Sequence, residues 1–64
     1  MEPFYELADE VAIIESRVAD AIFETVRAQL RSPDDDSSKD LERRLAKVRR
    51  SLQKAEMLLR GAED

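Results

Sequence analysis

The chain has 64 residues, 42% hydrophobic and 41% charged, with no Cys and no His. That length holds one small domain, and the missing residue types exclude disulfides, zinc or haem ligation through Cys or His, thiol nucleophiles and imidazole general bases. The net charge of −4 is unevenly spread: residues 1–31 carry seven acidic and three basic side chains, and residues 39–60 carry three acidic and eight basic ones, so an acidic half precedes a basic half.

The first predicted element is a helix over about residues 3–31. Pro3 suits a first helical turn, and Glu2, Glu6, Asp9 and Glu10 put negative charge near the positive end of the helix dipole. Leu7, Val11, Ile14, Val18, Ile22, Val26 and Leu30 recur every three or four residues, a helical period with no strand-like alternation. On a helical wheel the apolar arc covers about 180°. Leu7, Val11, Ile14, Val18 and Ile22 lie on one side, and Tyr5, Ala8, Ala12, Ala19, Phe23, Val26 and Leu30 on the other, with Glu15 in the middle.

Residues 32–38, Ser-Pro-Asp-Asp-Asp-Ser-Ser, form the expected loop. Proline disfavours helical geometry in the residue before it, and Asp and Ser side chains compete for backbone hydrogen bonds. Two starts for the second helix compete, one at Ser32 with Pro33 and one at Ser37 with Asp40 three residues on. The later is preferred, which gives a helix over about residues 38–60, stopped by Gly61. Its stripe of Leu41, Leu45, Val48, Leu52, Ala55 and Leu59 follows a heptad and covers only about 80° of the wheel, enough for one neighbour.

A loop of this length fits an antiparallel hairpin. The expected register has facing positions summing to about 70, which sets Leu30 by Leu41, Val26 by Leu45, Ile22 by Val48, Val18 by Leu52 and Val11 by Leu59. The same sum brings together Arg27 and Glu42, Glu24 and Lys47, Asp20 and Arg50, Glu15 and Lys54, Glu10 and Arg60, and Arg31 and Asp40. Exposed pairs of this kind contribute about 0 to 1 kcal/mol each, so they select orientation more than they stabilise.

The arc of the first helix is wider than the second helix can cover. A chain this small, without disulfide or metal, normally completes its core by association. The expected fold is therefore an all-α, single-domain two-helix hairpin over residues 1–64 that dimerises into a four-helix bundle. The expected partner surface is Tyr5, Ala8, Ala12, Glu15, Ser16, Ala19, Phe23, Val26 and Leu30, where the small residues permit close helix approach and the aromatics anchor it.

No catalytic, cofactor-binding or metal-ligating constellation is read here. Glu6, Asp9, Glu10 and Glu15 lack the His that bundle metal sites add, and Asp34, Asp35 and Asp36 lack the Gly and Glu offsets of a calcium loop. Arg43, Lys47, Arg50 and Lys54 line one outward face and are the candidate nucleic-acid contacts, although the second helix has no aromatic residue for stacking. No stretch reaches the roughly 18 consecutive apolar residues of a membrane span. The opening Met-Glu-Pro-Phe-Tyr-Glu lacks the basic flank of a signal peptide, so a cytoplasmic setting is expected.

In size and helix–break–helix layout the chain resembles the Rop-like helical hairpins that form dimeric four-helix bundles and bind RNA. In length, break position and acidic tail it is similar to the small co-chaperones of type III secretion needle subunits. Both resemblances imply a non-enzymatic protein, acting as a homodimer or as an adaptor or chaperone-like subunit on a larger heterologous partner. The first also implies nucleic-acid binding.

Overall fold

The computed structural model describes residues 4–34 and 36–61; the helix-start roles expected of Glu2 and Pro3 lie outside them. Helix α1 runs Tyr5–Arg31 and helix α2 Asp36–Leu59, packed against each other, with no strand among the described residues. The all-helical hairpin is thus present. The start of α2 differs from the preferred one. Ser37 and Asp40 lie inside the helix rather than at a capping box, and Asp36 occupies its first turn, where a carboxylate is favoured by the exposed N–H groups and the dipole.

Local chemistry explains the ends. The Ser32 N–H donates to the Ala28 carbonyl at 2.9 Å and closes the last turn of α1. At the end of α2, Arg60 N–H reaches the Glu56 carbonyl and Gly61 N–H the Leu58 carbonyl. Gly61 sits at φ 90°, a left-handed conformation that a Cβ would penalise. The two termini of the hairpin are joined through the backbone, Phe4 N–H donating to the Leu59 carbonyl at 2.7 Å.

The antiparallel register is close to the expected one, since the cross-hairpin contacts Asp9 with Arg60, Glu15 with Glu56 and Gln29 with Glu42 keep position sums within one of 70. Four of the expected charges take other partners. Arg27 bonds Glu24 on its own helix, Asp40 bonds Arg43, Glu42 accepts from Gln29, and Arg60 reaches Asp9 rather than Glu10. Long side chains take a partner one turn away when one exists, because less chain entropy is lost.

The rotation of α1 is the larger correction. Leu7, Ile14 and Leu30, expected against α2, are exposed, as are Leu41 and Val48 of the α2 stripe. The seam centre on α1 is instead the row Ala8, Glu15, Ile22 and Gln29, flanked by Val11, Val18 and Thr25 on one side and Ala12, Ala19 and Val26 on the other. Three alanines let the helices approach closely, and Glu15 and Gln29 find polar groups across the seam. On α2 the half-buried residues include Ser38, Glu42, Leu45, Leu52, Glu56 and Leu59.

The hairpin is a ribbon one helix thick, with extents of 49 × 19 × 10 Å. Its radius of gyration is 14.6 Å, against about 10.7 Å for a compact domain of this length. Ala8 and Thr25 are the buried residues among those described. Thr25 tolerates burial because its hydroxyl donates to the Ala21 carbonyl at 2.8 Å.

Gly61→Ala is expected to cost about 1 kcal/mol in urea unfolding, through the left-handed position. Asp34→Ala, in the exposed turn, is expected to stay within about 0.5 kcal/mol of the parent.

Candidate functional site

Residues seven apart stack in rows along gently supercoiled helices, and in an antiparallel pair the equivalent flanks of both helices share a face of the ribbon. Two unlike faces result. The first carries the row Leu7, Ile14, Ala21 and Ala28 of α1 beside Leu41, Val48 and Ala55 of α2. Beneath them, toward the seam, lie Val11, Val18 and Thr25 opposite Leu45, Leu52 and Leu59. No charged side chain occurs in these four rows. Leu7, Ile14, Leu41 and Val48 are 47, 46, 48 and 44% exposed. Each is therefore about half covered by its neighbours, and together they form an uncharged apolar patch.

The opposite face is mixed. Its α1 half carries Tyr5, Ala12, Ser16, Ala19, Phe23 and Leu30, and its α2 half carries Lys39, Arg43, Ala46, Arg50, Gln53 and Arg60. A shallow groove lined by Ile22, Ala46, Arg49, Arg50 and Gln53 runs along it. Arg27 stands over the Phe23 ring, 5.7 Å from its centroid, a cation–π contact that keeps the aromatic partly occupied.

The polar contacts across the seam gather on this mixed face. Gln29 Nε2 donates to Glu42 Oε1 at 2.6 Å. Arg60 donates from Nε to Glu56 Oε2 at 2.7 Å and from Nη2 to Asp9 Oδ1 at 3.1 Å. Glu15 Oε2 is buried with no N–H or hydroxyl donating to it, and the Glu15 carboxyl hydrogen-bonds that of Glu56. Two carboxyls bond only if one holds a proton. That hydrogen bond, then partial burial, then the Glu56 charge raise Glu15 above the ordinary carboxyl range, while the Arg49 and Arg60 charges pull it back. Glu56 is held low by the proton donated from Glu15 and by Arg60.

The expected partner residues separate accordingly. Ala8 is fully covered by α2, and Ala12, Glu15, Ala19 and Val26 are partly covered in or beside the seam, whereas Tyr5, Ser16, Phe23 and Leu30 remain exposed on the mixed face. Glu15, expected opposite Lys54, has Glu56, Arg49 and Arg60 around it. Arg43, Lys47, Arg50 and Lys54 are all exposed along α2. The apolar row of Ala21, Ala28, Leu41, Val48 and Ala55 was not assigned to a partner from the sequence. The signal was its strict seven-residue spacing, masked by the assumption that the largest residues face the hairpin partner.

Among the described residues no group of three or more acidic side chains is placed to hold a metal ion, and no helix is long and apolar enough to cross a membrane. No family model, curated protein or solved structure matches the chain.

The carboxyl pair makes stability depend on pH. Glu15, with its value raised by folding, contributes in acid and loses that contribution as pH climbs through its raised value. Glu56, with its value lowered, contributes above the ordinary carboxyl range and loses it as pH falls through its lowered value. The contribution of this pair is thus greatest in weak acid, between the lowered Glu56 value and the raised Glu15 value. Glu15→Gln supplies an N–H at every pH; it is expected to raise the melting temperature at about pH 7 and flatten its fall from about pH 5 to 7. Glu56→Gln weakens the Arg60 contact and is expected to lower it. Circular dichroism melts at the two pH values read both effects.

Proposed function

We propose that this chain is a non-enzymatic protein–protein interaction module, a helical hairpin whose function is to pack a helix face on another polypeptide. The observation that carries the reading is the surface. The chain exposes 5277 Å², while a compact monomer of 7.4 kDa exposes about 4,200 Å². The excess is comparable to the roughly 800 Å² that each partner buries in a stable protein interface. Supporting it are the near-absence of buried side chains and the lack of Cys and His for nucleophilic, metal or imidazole chemistry. The occupant is a second copy, as in a four-helix bundle, or a larger protein that the hairpin serves as adaptor or chaperone; a cytoplasmic setting accords with the absence of cysteine.

A second reading, nucleic-acid binding through α2, is favoured by one observation. Arg43, Lys47 and Arg50 stay exposed and stand off the apolar face, so association through that face leaves them accessible. Under this reading, affinity for a short RNA duplex falls steeply between about 50 and 200 mM salt and is lost on reversing these three charges. Binding unaffected by either change removes it.

A module that lacks a core of its own gains stability from what it binds. The helical signal and melting temperature of the full chain are therefore expected to rise with protein concentration or with a supplied partner. A monomer that is fully helical at nanomolar concentration, with a melting temperature independent of concentration, would show a self-sufficient hairpin and overturn the proposal.

A further inference from the structure

Resting on the reading as an interaction module, we infer that the apolar face is covered by a second copy of this chain, related by a two-fold axis parallel to the helices, so that each α1 lies on the α2 of the other copy. Three observations on the face agree.

The first is composition. Stacking two apolar faces puts Val11, Val18, Thr25, Leu45, Leu52 and Leu59 at the bundle centre, and all but Thr25 are aliphatic. The Thr25 hydroxyl is already satisfied within its helix. Stacking the mixed faces would cover Tyr5, Phe23 and Leu30 but would also bring Glu15, Arg49 and Glu56 under a second layer, at a desolvation cost that the uncharged face does not carry. The face measures 49 by 19 Å, roughly 900 Å² per copy, which is the size of stable interfaces.

The second is the order of side-chain sizes. Along α1 the exposed row runs Leu7, Ile14, then Ala21, Ala28, from the termini toward the loop. Along the same direction the α2 row runs Ala55, then Val48, Leu41. Large residues therefore stand on one helix where the other has alanine. The two-fold rotation lays Ile14 on Ala55 of the second copy, and Ala21 and Ala28 on its Val48 and Leu41. At these three positions of the outer rows a large side chain meets a small one, a condition for interdigitated layers.

The third is charge, which separates this axis from the alternative. A two-fold perpendicular to the helices would also set large on small, but it lays α1 on α1 and α2 on α2. That places the helix with excess acid on its own copy and the helix with excess base on its own copy. The parallel axis alternates them, so every helix has neighbours of opposite charge, and at the rim it brings Glu24 to the level of Arg44 of the second copy.

The full chain has no cysteine, so single thiols report directly. Sedimentation at micromolar concentration is expected to give twice the chain mass. A mixture of Ile14→Cys and Ala55→Cys chains is expected to form a disulfide-linked pair on mild oxidation, with neither variant linking to itself. Ile14→Asp is expected to weaken association at least about thirtyfold, whereas Phe23→Asp, on the other face, leaves it within about threefold. Self-linking of Ile14→Cys without the mixed product overturns the axis. A dimer broken by Phe23→Asp and not by Ile14→Asp overturns the face and leaves the interaction module standing. A partly helical monomer at micromolar concentration overturns the second copy in favour of a different protein partner, and a fully helical stable monomer overturns the module as well.

Discussion

Two helices side by side have one interface between them, and the rest of this structure follows from how little that interface can bury. Ordering each residue costs about 1 to 2 kcal/mol of backbone entropy, and covering a Leu, Ile or Val returns roughly 1.5 to 3 kcal/mol only when the side chain leaves water fully. In the hairpin Leu45, Leu52, Val11 and Val18 leave it only in part. The backbone bonds within the helices, the Gly61 stop and the Phe4–Leu59 link define the shape, but none of them adds apolar burial.

That shortage gives the seam its composition. Because Ala8, Ala12 and Ala19 face α2, the helices approach closely, and the row that accompanies them contains Glu15 and Gln29. Those groups sit where a larger core would hold leucine, and they are matched by Glu56 and Glu42 with Arg60 at the rim. Polar matching across a seam specifies register, since sliding by one turn would part the pairs. Apolar side chains are left on both outer faces, Leu7, Ile14, Leu41 and Val48 on the uncharged one and Tyr5, Phe23 and Leu30 on the mixed one.

The two faces of the ribbon suit different tasks. The uncharged one fits another apolar layer. The mixed one, with Arg49, Arg50 and Gln53 along a shallow groove and Phe23 under Arg27, stays compatible with water and with polar ligands. Since the acidic and basic halves lie on separate helices, any partner that covers the apolar face also meets an acidic edge and a basic edge, which orients it.

Much of this was determined by the order of residues alone. Helical periodicity, the Ser-Pro-Asp break and Gly61 set two helices and a turn, and the shortness of the break set an antiparallel pairing, because each depends on neighbours a few positions away. The rotation of α1 was decided only in the tertiary structure. Leu7, Ile14 and Leu30 against Ala8, Ala12 and Ala19 is a choice between two sides of one wide apolar arc, and periodicity weighs both sides alike. Close approach through alanines, together with the need of Glu15 and Gln29 for partners on α2, settled it, and those are properties of two helices in contact.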